Sequence, residues 1–172
     1  MTDNKTTDTK ANDDTSKAPE RQISVNAQYI RDLSFENPKA PASLLPQQDS
    51  DPKFGINVDV KARPVGEKLY EVVLDISAET KRSDETLFII ELSYAGLFML
   101  DNIPEKELEP MLLVYCPGLL FPYARNIISE TTRDGGFPAL LLDPIDFSRL
   151  YAGKRAAAIK AKEESEDKTE SA

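Results

Sequence analysis

The chain reads as an α+β protein: a four-stranded antiparallel sheet with two main helices packed on one face. Three observations predict this. Four consecutive segments before Asn102 alternate apolar and polar residues or run apolar on both parities. The segments between them, such as RPVGEK and KRSDE, are short and polar, as hairpin connections are. After Asn102 the apolar spacing lengthens to three and four. The 172 residues suffice for one domain with its own core.

In ISVNAQYIRDLSF the apolar residues Ile23, Val25, Ala27, Tyr29, Leu33 and Phe35 share one parity, with Arg31 the exception. In KFGINVDVKA the set is Phe54, Ile56, Val58, Val60 and Ala62. In LYEVVLDISAET it is Tyr70, Val72, Leu74, Ile76 and Ala78, with Glu71, Asp75 and Glu79 opposite. One apolar and one polar face mark strands of an antiparallel sheet covered on one side. The fourth segment, ETLFIIELSYAGLF, differs. Phe88, Ile90, Leu92 and Tyr94 share one parity; Leu87, Ile89, Ala95 and Leu97 share the other with Glu91 and Ser93. A strand apolar on both faces needs a second cover: a local helix or the N-terminal arm is one source, and sheet-to-sheet packing between subunits is the expected one.

Pro104 suits the first turn of a helix. The stripe Met111, Leu112, Val114 and Tyr115 is expected to break at Pro117-Gly118. A second helix then carries Tyr123, Ile127, Ile128 and Thr131 and stops at Gly135-Gly136. After the apolar connector FPALLLDP, Asp143 is expected to cap a last helix with Pro144 at its first position and Ile145, Phe147, Leu150 and Tyr151 as its apolar set. Residues 1–21 are polar and expected to be disordered, 22–152 form the folded domain, and 153–172 form a flexible charged tail whose Ala-rich start extends a helix.

The net charge is −9, and residues 49–109 hold fourteen acids against seven bases. An acidic folded part disfavours nucleic acid and anionic membrane and suits either solubility or a cationic partner. The N-terminus lacks the apolar core of a signal peptide. The best apolar run, Leu87 to Leu100, is broken by Glu91, Ser93, Tyr94 and Gly96, so no membrane insertion is expected. The expectation is a soluble cytoplasmic protein.

The chain has no histidine and one cysteine. A Ser-His-Asp or Cys-His apparatus is therefore impossible within it. No phosphate-binding glycine motif or calcium-loop pattern occurs, so no catalytic residue, metal or cofactor is expected. Cys116, inside YCPGLLFPYAR, reads as a small buried core residue of low reactivity. What remains are surfaces: an acidic one, and an apolar one around the connector Phe137 to Leu142 that suits an extended peptide.

The segments IRDLSFENPKAP (Ile30 to Pro41), LYEVVLDI (Leu69 to Ile76), YCPGLLFPYAR (Tyr115 to Arg125) and GGFPALLLDPIDFSRLY (Gly135 to Tyr151) resemble, in order, the SecB family of bacterial protein-export chaperones. The resemblance runs from about residue 22 to 152; the polar N-terminal extension and the tail depart from it. It implies a SecB-like fold, a dimer of dimers (homotetramer) and ATP-independent holding of unfolded precursor proteins in the cytoplasm, with delivery to the SecA motor ATPase. It further implies that Asp32, Glu36 and Glu91 form an acidic SecA-binding face. Phe137, Leu140 and Leu142 would line a client groove, and Phe88, Ile90 and Leu92 would lie at a subunit interface. A SecB-like chaperone dedicated to one toxin–antitoxin pair, and a structural subunit of a larger complex, stay open as alternatives.

Overall fold

The computed structural model describes residues 20–45 and 51–170, with side chains through residue 161. Most of the segment expected to be disordered, residues 1–19, lies outside the described residues. Four strands, β1 (Gln22–Glu36), β2 (Lys53–Gly66), β3 (Leu69–Arg82) and β4 (Glu85–Asp101), form one antiparallel sheet in the order β1-β4-β3-β2. The strand apolar on both parities takes an interior position between β1 and β3, as its composition demands. The β3–β4 hairpin turns through Ser83 and Asp84, both at positive φ (49° and 65°), the geometry that matches the twist of the flanking strands.

Strand β1 departs from simple alternation. Register shifts between Val25 and Ala27 and between Ile30 and Asp32 insert one extra residue each. Each bulge reverses which parity faces the helices. Ile23 pairs with Leu100 and Phe35 with Ile90, both on the helix side, whereas Ala27 pairs with Leu97 and Tyr29 with Ala95 on the outer side. The single apolar face read across Ile23 to Phe35 is therefore corrected: Ala27 and Tyr29 face outward, and Ile30 faces the helices.

After β4 the chain runs in helix from Glu105 to Asp134. It comprises α1 (Glu105–Pro110), a π-helical turn (Met111–Tyr115) and α2 (Cys116–Asp134). The break expected at Pro117-Gly118 is absent. The turn before it widens, with the Cys116 amide reaching the Met111 carbonyl, and this π turn accommodates Pro117, which has no amide to donate within the continuous helix. The buried stripe is Cys116, Leu120, Phe121, Ala124, Ile128 and Thr132. Tyr123 and Ile127 are off that stripe, because the phase is set upstream by Cys116 and Leu120 crossing β4. A Cβ at Gly96 would lie 2.9 Å from the Leu120 side chain, so glycine lets helix and strand approach closely. By length and composition Glu105–Asp134 could span a membrane, which the sequence reading missed; its most buried face is the one that covers the sheet.

Helix α3 spans Phe147–Glu170. Its cap is Asp146 rather than Asp143: Asp146 Oδ1 accepts from the Arg149 amide at 3.0 Å. The stretch read as a flexible tail is helical to Glu170, in keeping with its Ala, Lys and Glu content. The Lys154 ammonium pairs with Asp59, tying α3 to β2. Cys116 is wholly buried, and burial pushes its thiol pKa up to about 12.

Among the described residues no helix lies on the outer face of the sheet. Its centre, Val73 and Ala95, is nonetheless buried. In the ladder these small residues lie in one row between Lys61 and Tyr29. Those long side chains lean inward to carboxylates: Tyr29 donates to Glu71 at 2.5 Å, Arg63 Nε to Glu71 at 2.6 Å, and Lys61 to Asp75 at 2.8 Å. Paired charges thus cover Val73 and Ala95 within the chain, while Ile89, Leu97 and Met99 on the same face of β4 stay partly or fully exposed. The hydrogen bond from Arg63, then that from Tyr29, holds the Glu71 carboxyl below its ordinary pKa. For Asp75 burial opposes ionisation, but the bonds from Lys61 and Ser93 outweigh it and its pKa is also lowered.

A depressed carboxyl contributes stability above its unfolded pKa, and the contribution fades as pH falls through the folded value. Glu71→Gln should cost about 1–3 kcal/mol at neutral pH. In urea titrations the gap to the parent should narrow steadily below about pH 4, the ordinary glutamate range. Equal stability at neutral pH, or a gap that persists in acid, would contradict this role for Glu71.

Candidate functional site

On the helix side, the connector from Phe137 to Asp143 descends from α2 past the end of β3 and β4. It is anchored by Thr132, which is fully buried. Its hydroxyl donates back to the Ile128 carbonyl and accepts from the Leu140 amide at 2.9 Å. Phe137 N bonds the Thr132 carbonyl. Gly136, at φ +88°, supplies the left-handed residue that ends the helix. Gly135 serves by size: a Cβ there would fall 2.3 Å from the Phe35 ring.

Between this connector and the end of β2 lies a cavity of about 420 Å³. Phe88 forms its floor, Phe137 and Leu140 one wall, and Phe54 and Ile56 the other. Phe54 and Ile56 are 53% and 48% exposed, so two large apolar side chains on the β2 edge strand have no cover. Leu141 projects from the opposite lip and is 66% exposed. The volume and apolar lining suit a bulky side chain of an extended segment. Of the three residues expected at a groove, Phe137 and Leu140 line it. Leu142 does not; it is buried in the core. Phe54 and Ile56 were missed because their alternation reads as core-facing, and only the lateral limit of the helix layer leaves them open.

On the outer face the ladder brings Asp32, Glu36 and Glu91 together. Asp32 is opposite Ser93, Ser34 opposite Glu91 and Glu36 opposite Ile89, so Glu91 has the two β1 acids as diagonal neighbours. All three are exposed. Among the described residues none of them has an ion pair, whereas Glu71, Asp75 and Glu79 on the same face each hold a cation. The outer face is thus divided: neutralised over β2 and β3, acidic over β1 and β4. Among the described residues no cluster of three or more metal-ligating side chains occurs.

Phe88, Ile90 and Leu92, expected at a subunit interface, are 3%, 0% and 2% exposed within the chain's own core. Their parity points under α2 and the connector, away from the open face. The uncovered apolar residues lie elsewhere on the helix side: Val25, Ile30 and Leu33 along the β1 edge, with Tyr123 on α2, which stacks on Tyr94 at 6.4 Å.

Residues 16–158 match the family model for preprotein translocase subunit SecB. The protein-export protein SecB of Maricaulis maris is 50% identical over 153 residues, 87% of each chain. That of Paramagnetospirillum magneticum is 52% identical over 135 residues, 78% of this chain and 86% of its own. Among solved structures, the SecB-like chaperone of Mycobacterium tuberculosis, in complex with a peptide from an antitoxin, superposes with a TM-score of 0.59 at 15% identity. It covers 72% of this chain and 90% of that one, a likeness of fold. With its matching sheet and helices and these relatives, the chain belongs to the SecB family of protein-export chaperones.

Proposed function

We propose that this protein holds unfolded precursor chains in the helix-side groove without ATP, in the cytoplasm, and passes them to SecA through Asp32, Glu36 and Glu91. The observation that carries this reading is the separation of two surfaces by one sheet: an apolar cavity on one side and an unpaired acidic group on the other. A client held in the groove leaves the acidic face free for the motor. The reading is of a binding protein and calls for no catalytic group.

The energetics favour holding over tight capture. Each apolar contact contributes roughly 25 cal/mol per Å² removed from water. Ordering a flexible client offsets much of that, so retention comes from several weak contacts along one chain. Slow-folding clients keep apolar segments exposed long enough to be caught; fast folders bury them first.

The assembly is a homotetramer in this reading. The strip Val25, Ile30, Leu33 and Tyr123 supports it, because a second copy would cover apolar side chains and the outer edge of β1 together. Ile30→Asp should lower the mass measured by light scattering; an unchanged mass would exclude this strip from the interface.

The function is tested by diluting a chemically unfolded, slow-folding precursor into buffer with and without the protein. Refolding should stop without ATP, and the native client should not bind. The Asp32→Asn, Glu36→Gln, Glu91→Gln triple variant should arrest refolding as before but bind SecA roughly tenfold more weakly. Unhindered refolding would overturn the holding role, and undiminished SecA binding would overturn the assignment of the acidic trio.

A further inference from the structure

The second bulge of β1 adds a residue that the sheet does not require. Ala27 to Ile30 pair with Leu97 to Tyr94, and Asp32 to Glu36 continue on Ser93 to Ile89. The ladder on β4 therefore runs without a gap, and Arg31 has no partner in it. An inserted residue turns two consecutive side chains to one face. Arg31 and Asp32 thus both stand on the outer side, and the guanidinium is set beside the first member of the acidic trio. Its ion pair is loose: Nη1 lies 3.6 Å from Glu71 Oε2, and the Arg31 side chain is 52% exposed. Both Glu71 oxygens already have donors, Oε1 from Tyr29 at 2.5 Å and Oε2 from Arg63 at 2.6 Å. The Arg31 side chain itself donates no hydrogen bond among the described residues. It is surplus to the network that covers Val73 and Ala95, and it stands where the neutralised half of the outer face meets the acidic half.

We propose that Arg31 is the specificity determinant of the acidic face: the partner that docks there presents a carboxylate to this guanidinium, beside the basic groups it offers to Asp32, Glu36 and Glu91. A surface that covers Asp32 also takes the neighbouring Arg31 out of water. Glu71 cannot compensate, because its oxygens are occupied. A guanidinium under cover with no acceptor is costly, and the partner's own cations would repel it. A partner with an acid in register gains a charge-assisted, forked bond instead. Selection then comes from a penalty on wrong partners as much as from attraction to the right one. Uniformly basic chains, including basic stretches of an unfolded client, are disfavoured on the motor's face, and a folded surface of mixed charge is accepted. Lys61 and Arg63, the cations over β2, do not share this role, since each is hydrogen-bonded to its own carboxylate.

This inference rests on the docking of SecA at the acidic trio proposed above, and the experiment separates the two. The full-length protein is titrated by isothermal calorimetry with purified SecA and, separately, with decalysine at physiological salt. Arg31→Gln should weaken SecA binding roughly threefold and tighten decalysine binding roughly threefold, so that the ratio of the two affinities falls about tenfold. Arg31→Lys keeps the charge without the fork: decalysine should bind as to the parent, and SecA should stay weakened. Deletion of Arg31, which leaves the pairing with β4 complete, should reproduce the glutamine result. Each variant should arrest precursor refolding like the parent, because the groove lies on the other side of the sheet. Any outcome other than opposite shifts for SecA and decalysine, with the Asp32→Asn, Glu36→Gln, Glu91→Gln variant still weakened toward SecA, would overturn the role of Arg31 and leave the docking site standing. Parental SecA binding by that triple variant would overturn both.

Discussion

The ring of Phe88 joins three parts of the molecule that are distant in sequence. It stacks on Phe35 of β1 at 5.7 Å and meets Phe137 of the connector at 4.8 Å, with Phe35 and Phe137 themselves 6.4 Å apart. Aromatic groups in such offset and tilted arrangements contribute about 0.5–1.5 kcal/mol per pair beyond the area they bury. The position matters more than the sum. Phe88 is the floor of the groove, Phe137 its wall, and Phe35 is the residue that requires Gly135 to have no side chain. The end of α2, the start of the connector and the edge strand are thus located against one ring. Thr132 adds the polar half of the same joint, satisfying the Leu140 amide where the connector is buried.

The sheet serves as a partition. Its helix side is covered only in part, and the part left open is apolar: Phe54 and Ile56 at one end, Ile30 and Leu33 at the other. Its outer side, where no helix lies among the described residues, uses charges as cover instead. Exposed ion pairs contribute little singly, but here Tyr29, Arg63 and Arg31 converge on one carboxylate, Glu71, that is itself buried. That network shields Val73 and Ala95, and among the described residues Asp32, Glu36 and Glu91, over β1 and β4, have no ion pair. Function follows from this asymmetry: contacts that close one half of each face leave the other half available.

Much of this was legible in the sequence. Period-two alternation located three strands, and the doubly apolar fourth segment occupies the interior of the sheet. The acidic trio was named from motif resemblance and falls on one surface because Ser34 and Glu91 pair in register. The failures have physical causes. Bulges in β1 at Asn26 and Arg31 reversed its parity twice, and only the second left a mark in the apolar pattern, as the exception at Arg31. The helix passed through Pro117-Gly118 because one π turn absorbed the proline, a backbone adjustment that composition does not encode. Phe88, Ile90 and Leu92 take the helix-side parity, since alternation separates two faces without saying which one the helices cover.

In the proposed function, client and motor engage opposite faces of one sheet. The sole native cysteine is fully buried, so an introduced thiol is labelled selectively. A photo-crosslinker would be placed at Leu141→Cys on the groove lip and, separately, at Ser34→Cys between the outer acids. The account predicts that unfolded precursor crosslinks to position 141 and not to 34, and that SecA shows the reverse. Precursor captured equally at both positions would contradict it.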